Sequence, residues 1–239
     1  MTVDVLAVGP HPDDVDLAVG GMLHKFARQG HATGILDLTR GELATRGSVD
    51  ERAKEAAAAA RILKVARRAN VGLPDGALAN TDEQRRTLAL FLRSFRPRIL
   101  IAPYPNDRHP DHEAAHVLVR DANYLAGLNR FDVAGEPHRA NQVYYYRVYK
   151  DVERPDLVID ISDDFETKLE ALRAYRSQFQ NPEYKGEPTY VASGAFWESI
   201  RIRAEYWGAA IGVTYGEGLY VDGPIGLDTL PGLKEKICE

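Results

Sequence analysis

Short apolar runs alternate with longer stretches in which apolar positions recur every three or four residues. The runs "VDVLAVG" (3 to 9), "TGILDLT" (33 to 39), "PRILIAP" (97 to 103), "QVYYYRVY" (142 to 149) and "DLVIDIS" (156 to 162) are β-branched or aromatic and predict strands. Helical spacing predicts helices over 15 to 29, 50 to 67, 82 to 95, 112 to 127, 163 to 178 and 194 to 207. Strand and helix alternate through the first half, which predicts an α/β fold: a Rossmann-like, mostly parallel sheet with helices on both faces.

Several helix starts carry their own punctuation. Ser48 precedes Glu51 by three residues and Thr81 precedes Gln84, so each pair fits a capping box that satisfies orphan backbone N–H groups. Ser162, followed by Asp163 and Asp164, predicts a third start with carboxylates near the positive end of a helix dipole. The "AAAAA" run at 56 to 60 fits tight helix packing. "SQFQNPEYKGEPTY" (177 to 190) has turn formers without periodicity and predicts a long surface loop, a length that is often functional.

At 239 residues, with 44% hydrophobic and 27% charged, the chain can bury the core of one sizeable domain, expected over 1 to 239. The net charge of -5 and the scatter of Lys and Arg argue against nucleic acid as a partner. Cys238 is the single cysteine, which rules out an internal disulfide framework and a Cys-based zinc site. No basic leader and no apolar run near the roughly 18 residues of a membrane span is present, so a cytoplasmic protein without a membrane partner is expected.

"VGPHPDDVDLAVGG" (8 to 21) sets His11, Asp13 and Asp14 just past the first strand, at the edge where open parallel sheets bind ligands. A helix starting near Pro12 lets His11 and Asp14, three apart, converge, while Asp13 points elsewhere. Aspartates at a helix start are commonly caps. His11 changes that balance, because two adjacent carboxylates repel and a cation lets both stay charged in a partly buried turn.

"PYPNDRHPDHEAAH" (103 to 116) repeats the arrangement, with His109, Asp111 and His112 opening a helix after a strand. Asp111 is placed to hydrogen-bond one of the two histidines. His116 fits an ordinary helix position, and His24, His31 and His138 read as surface or packing residues. Joined, the clusters offer His11, Asp14 and one histidine of the second group as three N/O ligands with an open position, the layout of a catalytic zinc site. Two histidines and a carboxylate also suit the facial triad of an Fe(II) oxygenase, although such an enzyme has less use for the surplus Asp13 and the His109/Asp111 pair.

With "HPDD" after the first strand and "HPDH" after a later one, the chain resembles the LmbE-like (PIG-L type) zinc-dependent N-deacetylases. "TRGELATRG" (39 to 47), "LPDG" (73 to 76), "AYRSQF" (174 to 179) and "GVTYGEGLY" (212 to 220) are similar to the branch that deacetylates N-acetylglucosaminyl-malate in bacillithiol biosynthesis. The resemblance implies one Zn2+ per chain, or another divalent ion such as Fe2+, held by His11, Asp14 and His112. It implies Asp13 as general base, and His109, oriented by Asp111 and protonated through that pairing, as oxyanion stabiliser or acid. Arg52 and Arg139 match substrate-contacting positions. Where some relatives carry a tyrosine near the oxyanion, this chain aligns Phe196, with Tyr190 nearby. A small-molecule glycoside substrate and a homo-oligomer are implied. The competing readings are deacetylation of an inositol or chitobiose conjugate, a metal-binding protein without catalysis, and a nucleotide-binding module. The last is disfavoured because "GPHPDD" lacks the Gly-rich pattern and its carboxylates would repel a phosphate.

Overall fold

The computed structural model describes residues 2–149 and 154–226; Cys238 lies outside them. Strands β1 (Val5–Gly9), β2 (Thr33–Thr39), β3 (Arg67–Leu73), β4 (Ile99–Pro103) and β5 (Gln142–Tyr146) form a fully parallel sheet in the order β3-β2-β1-β4-β5. Helices α1 (Asp14–Arg28), α2 (Val49–Ile62), α3 (Asp82–Phe95) and α4 (Pro110–Ala126) connect the strands. Strands β6 (Leu157–Asp160) and β7 (Gly216–Leu219) make a separate antiparallel pair, linked to the main sheet by a bridge between Tyr145 and Tyr220. Helices α5 (Phe165–Arg173) and α6 (Gly194–Ala210) lie between them in sequence.

Alternation along the central strands places a core on each face. Val5 and Ala7 of β1 and Ile35 of β2 pack with α1, α2, α5 and α6, whereas Leu6, Val8, Leu36 and Leu38 pack with α3 and α4. Burial on both faces is the reason these strands read as continuous apolar runs. Among the described residues, no helix is long and apolar enough to cross a membrane.

Two strands escape the hydrophobic pattern. Helix α2 stops at Ile62, and β3 starts at Arg67, where helix was expected to continue. Lys64 at φ 56° turns the chain there. Strand β3 is an edge strand, largely half-buried, so its polar "RRANVGL" gives no apolar run. Strand β7, "GEGL", has only one apolar side chain. Helix α5 ends at Arg173, five residues earlier than its spacing suggested.

The caps follow the sequence in two cases of three. Ser48 Oγ accepts from Glu51 N and Thr81 Oγ1 from Gln84 N, both at 3.2 Å. Ser162 does not cap α5: its N–H and hydroxyl both donate to Asp160 Oδ1, and Asp164 takes the N-cap position. The Asp164 carboxylate instead binds His24 and Arg28 of α1. His24 is thus a buried packing residue, as is His116, whose Nδ1 lies 3.0 Å from Pro103 O.

In this strand order, the connections from β1 and β4 leave in opposite directions. A crevice therefore opens at the carboxyl ends of those two strands, the place where doubly wound sheets bind ligands. The two histidine clusters follow β1 and β4.

Candidate active site

His11, Asp14 and His112 are buried side by side, with one ligand-capable atom from each lying within 4.8 Å of the others. Asp14 Oδ2 sits 3.1 Å from His11 Nδ1 and 3.2 Å from His112 Nε2. Asp14 also accepts the His11 backbone N–H, which locks the turn. A second possible set, His11, His109 and Asp111, shares His11.

The protonation of the cluster reports its appetite for positive charge. Burial opposes a charge on His11, yet Asp111, Asp14 and Asp75 outweigh it and push the imidazole up to about 12. Burial likewise opposes a charge on His112, but Asp14 and Asp107 push it up to about 9. Asp14 is held well below the usual carboxylate range against its burial, by His112 and His11. Neither ring nitrogen of His112 has a hydrogen bond of good geometry, although Asp107 Oδ2 is 3.3 Å from Nδ1. Buried polar atoms without partners cost about 1–3 kcal/mol each. A divalent cation among these three donors answers both observations, so the residues fit a metal.

Asp13 stands apart from the donors, as its place in the turn predicted. Its backbone has φ 128°, a conformation rare for residues other than glycine and typical of strain kept at functional sites. Asp13 Oδ2 takes a 2.8 Å bond from Arg52 Nη2, while Arg52 Nε donates to Pro12 O. Burial raises the Asp13 carboxyl and Arg52 lowers it, leaving it at about 7. Arg52 can reach there because Gly41, at φ +68°, has no Cβ: one at that position would collide with Arg52 Nη1.

The second cluster is arranged differently from the expectation. The Asp111 carboxylate does not orient His109; it lies 3.3 Å from His11 Nε2 and accepts from Gly76 N at 2.8 Å. His109 is the N-cap of α4, its Nδ1 accepting from Asp111 N at 3.2 Å. Burial lowers the His109 pKa, and the positive charges of His11 and His112 lower it further, so the ring is neutral near pH 7. With Nδ1 accepting, the neutral ring carries its proton on Nε2.

Arg139 is outside the site. It is exposed and packs beside Gly127, its guanidinium 5.2 Å from the Tyr124 ring, at the far end of α4. The 17 residues of α4 put that end about 25 Å from His109. Phe196 is buried in an aromatic stack with Phe179, Tyr190 and Tyr149. The tyrosine beside the donors is Tyr149, whose ring lies 5.6 Å from that of His112 with 29° between planes.

Three residues of the site carried little signal in the sequence. Asp75 binds His11 Nε2 at 3.0 Å; Asp107 faces His112; Tyr149 walls one side. Asp75 stood in the "LPDG" string without a role assigned to it, and for Asp107 and Tyr149 only the shared strand edge could have pointed to the site. Above the donors opens a cleft of about 370 Å3, bordered by the loops at 43 to 46 and 178 to 191, a size in the range of small-molecule sites.

The sequence profile of PIG-L, GlcNAc-PI de-N-acetylase, matches residues 6–123. A diacetylchitobiose deacetylase of Thermococcus kodakarensis is 34% identical over 98% of this chain and 85% of its own length. A probable N-acetyl-α-D-glucosaminyl L-malate deacetylase of Bacillus cereus is 29% identical over 73% of this chain and 83% of its own. The crystal structure of a conserved protein from Thermus thermophilus is 39% identical with a TM-score of 0.88, covering 98% of this chain and 100% of that one. Fold, donor cluster and likeness define a hydrolytic N-deacetylase. The chain belongs to the PIG-L family of LmbE-like deacetylases.

Proposed function

We propose that the chain hydrolyses the N-acetyl group of an N-acetylglucosamine conjugate, with a zinc ion held by His11, Asp14 and His112. The observation that carries this reading is Asp13: a carboxylate beside the donor cluster but outside it, held by a 2.8 Å bond from Arg52 and raised by its burial to about 7 in the metal-free chain. A structural cap has no need of that poise, and a general base works best with a pKa near the working pH. Fe2+ would suit the same donors.

Zinc, when bound, supplies Lewis acidity at the reacting carbonyl. Asp13 accepts a proton from the attacking water, and Arg52 steadies the carboxylate that does so. The neutral His109 donates from Nε2 to the amide oxygen as negative charge grows on it, a role that needs no imidazolium. Asp13, now protonated, returns its proton to the departing nitrogen, so water and amide become acetic acid and free amine, and the acid then loses its proton to solvent.

Sequence motifs suggested the malate conjugate. The fuller coverage and higher identity of the diacetylchitobiose deacetylase favour a chitobiose-type glycoside instead. The test is acetate release by the zinc-loaded chain from N,N'-diacetylchitobiose, N-acetylglucosaminyl-malate and N-acetylglucosamine. Selective turnover of the disaccharide is expected; selective turnover of the malate conjugate would return the substrate to that branch, and none from any of the three would overturn both and point to the inositol conjugate.

A further inference from the structure

Two large apolar side chains border the cleft, one from each of the loops that line it. Leu43 is 71% exposed and Tyr190 is 60% exposed, and both border the space above the donors. Exposed apolar groups scattered singly need no explanation, but two that border one polar site do.

Tyr190 is held rigidly. Its carbonyl accepts from Ser193 N and from Ser193 Oγ, the N-cap of α6, and its ring packs edge-to-face on buried Phe196 with centroids 5.2 Å apart. The loop that carries it is fastened by buried polar groups. Arg46 donates to Ser177 O at 2.6 Å and to Glu187 O at 3.0 Å, and the Glu55 carboxylate accepts from both Ser177 N and Ser177 Oγ. An aromatic ring that is fixed from behind and left open toward the cleft is a pre-organised surface, which lowers the ordering cost of binding.

The charged groups around the cleft are largely committed to one another. Three guanidinium groups border the cleft. Arg46 is engaged with carbonyls and Arg52 with Asp13. Arg108 is exposed, lies 4.0 Å from the Tyr149 ring and 5.2 Å from the Tyr190 ring, and has no carboxylate partner among the described residues. Asp13, Asp14 and Asp75 border the same space. Those acids are engaged as well, Asp13 with Arg52 and both Asp14 and Asp75 with His11, while Arg108 lies over the Tyr149 ring. What the border of the cleft leaves uncommitted is apolar, the exposed side chains of Leu43 and Tyr190. An uncharged sugar ring offers a C–H face to Tyr190 and Leu43 and hydroxyl acceptors to Arg108.

We propose that Tyr190, with Leu43 and Arg108, forms the aglycone subsite of this chain, and that the aglycone is an uncharged pyranose. The proposal rests on the deacetylase reading above. The experiment compares zinc-loaded wild type, Tyr190→Ala and Tyr190→Phe on N,N'-diacetylchitobiose, N-acetylglucosaminyl-malate and N-acetylglucosamine. In Tyr190→Ala the KM for the disaccharide should rise about tenfold relative to that for the monosaccharide, with kcat changed less than about twofold. Tyr190→Phe should restore the preference, because the ring face and not the hydroxyl is used. An unchanged KM ratio in Tyr190→Ala, or a wild type that prefers the malate conjugate, overturns the subsite while leaving deacetylation intact. If no acetate is released at all, calorimetric binding of the disaccharide to the same preparations decides the subsite alone. Binding that weakens about tenfold in Tyr190→Ala supports it, and absent or equal binding overturns it.

Discussion

Asp111 is two residues from His109 in sequence, yet its carboxylate reaches His11, with Oδ2 3.3 Å from His11 Nε2. The residue that opens α4 therefore steadies a donor that follows β1, and it ties down the 75 to 78 turn through Gly76 N and Leu78 N. Carboxylates that orient a ligating histidine typically contribute about 10- to 100-fold to metal affinity. Asp111→Asn keeps an acceptor for the turn but removes the charge, and a dication feels that loss twice as strongly as the proton it displaces. Zinc affinity, read by chelator competition, should fall by about that factor. Undiminished affinity would show that Asp111 serves the turn alone.

Asp13→Asn separates chemistry from fold. Asparagine tolerates positive φ nearly as well as aspartate, so the strained turn should survive. Turnover should fall by about 10²- to 10⁴-fold with zinc stoichiometry unchanged. The pH dependence of stability has a definite sign. The folded carboxyl at about 7 binds its proton more tightly than the unfolded one at 3.8, so this group's contribution falls as pH rises from about 4 to about 7. Urea midpoints of the metal-free proteins should therefore move in favour of Asp13→Asn across that window; parallel curves would remove Asp13 from the buried, raised state.

Metal affinity should rise steeply with pH. His11 and His112 are pushed up to about 12 and about 9, so near neutrality both are protonated in the metal-free chain and both protons must leave for metal to bind. Below about pH 9 the apparent affinity should climb by up to about a hundredfold per unit. The same protons stabilise the metal-free fold: their contribution is full below 6.5 and is lost through about 9 for His112 and about 12 for His11. Chelator competition between pH 6 and 8 checks the slope, and a flat profile would mean that these histidines are not the donors.

The candidate donors were legible because each follows a strand of the parallel sheet at the same edge, so two local motifs far apart in the chain are brought together. His11 and Asp14 share one turn, and His112 opens the helix after β4. What supports them comes from elsewhere in the chain. Asp75 arrives from the turn after β3, a strand invisible to apolar pattern because it lies at the sheet edge. Asp107 is one acid in a turn-rich loop, and Tyr149 ended a run that read only as strand. Arg139 shows the opposite failure: the local string suggested a role, but α4 carries its neighbourhood to the other edge of the sheet. The role of Asp111 misled for the same reason, since proximity in sequence to His109 says nothing of where the carboxylate turns.

Gly41 provides a test of Arg52 that leaves Arg52 in place. The glycine has φ +68°, and a Cβ there would collide with Arg52 Nη1, while Nη2 of the same guanidinium holds Asp13. Gly41→Ala should therefore cost about 1–3 kcal/mol of stability through backbone strain. It should also push Arg52 away from the base. Arg52 lowers the Asp13 carboxyl against its burial, so its retreat lets that carboxyl rise above about 7. The acid limb of the kcat/KM profile should shift to higher pH, and activity at pH 7 should fall by about tenfold for each unit of that shift. A general loss of folded protein would scale the whole profile down without moving its limb. A limb that stays in place in a folded Gly41→Ala protein would mean that Arg52 does not set the pKa of the base.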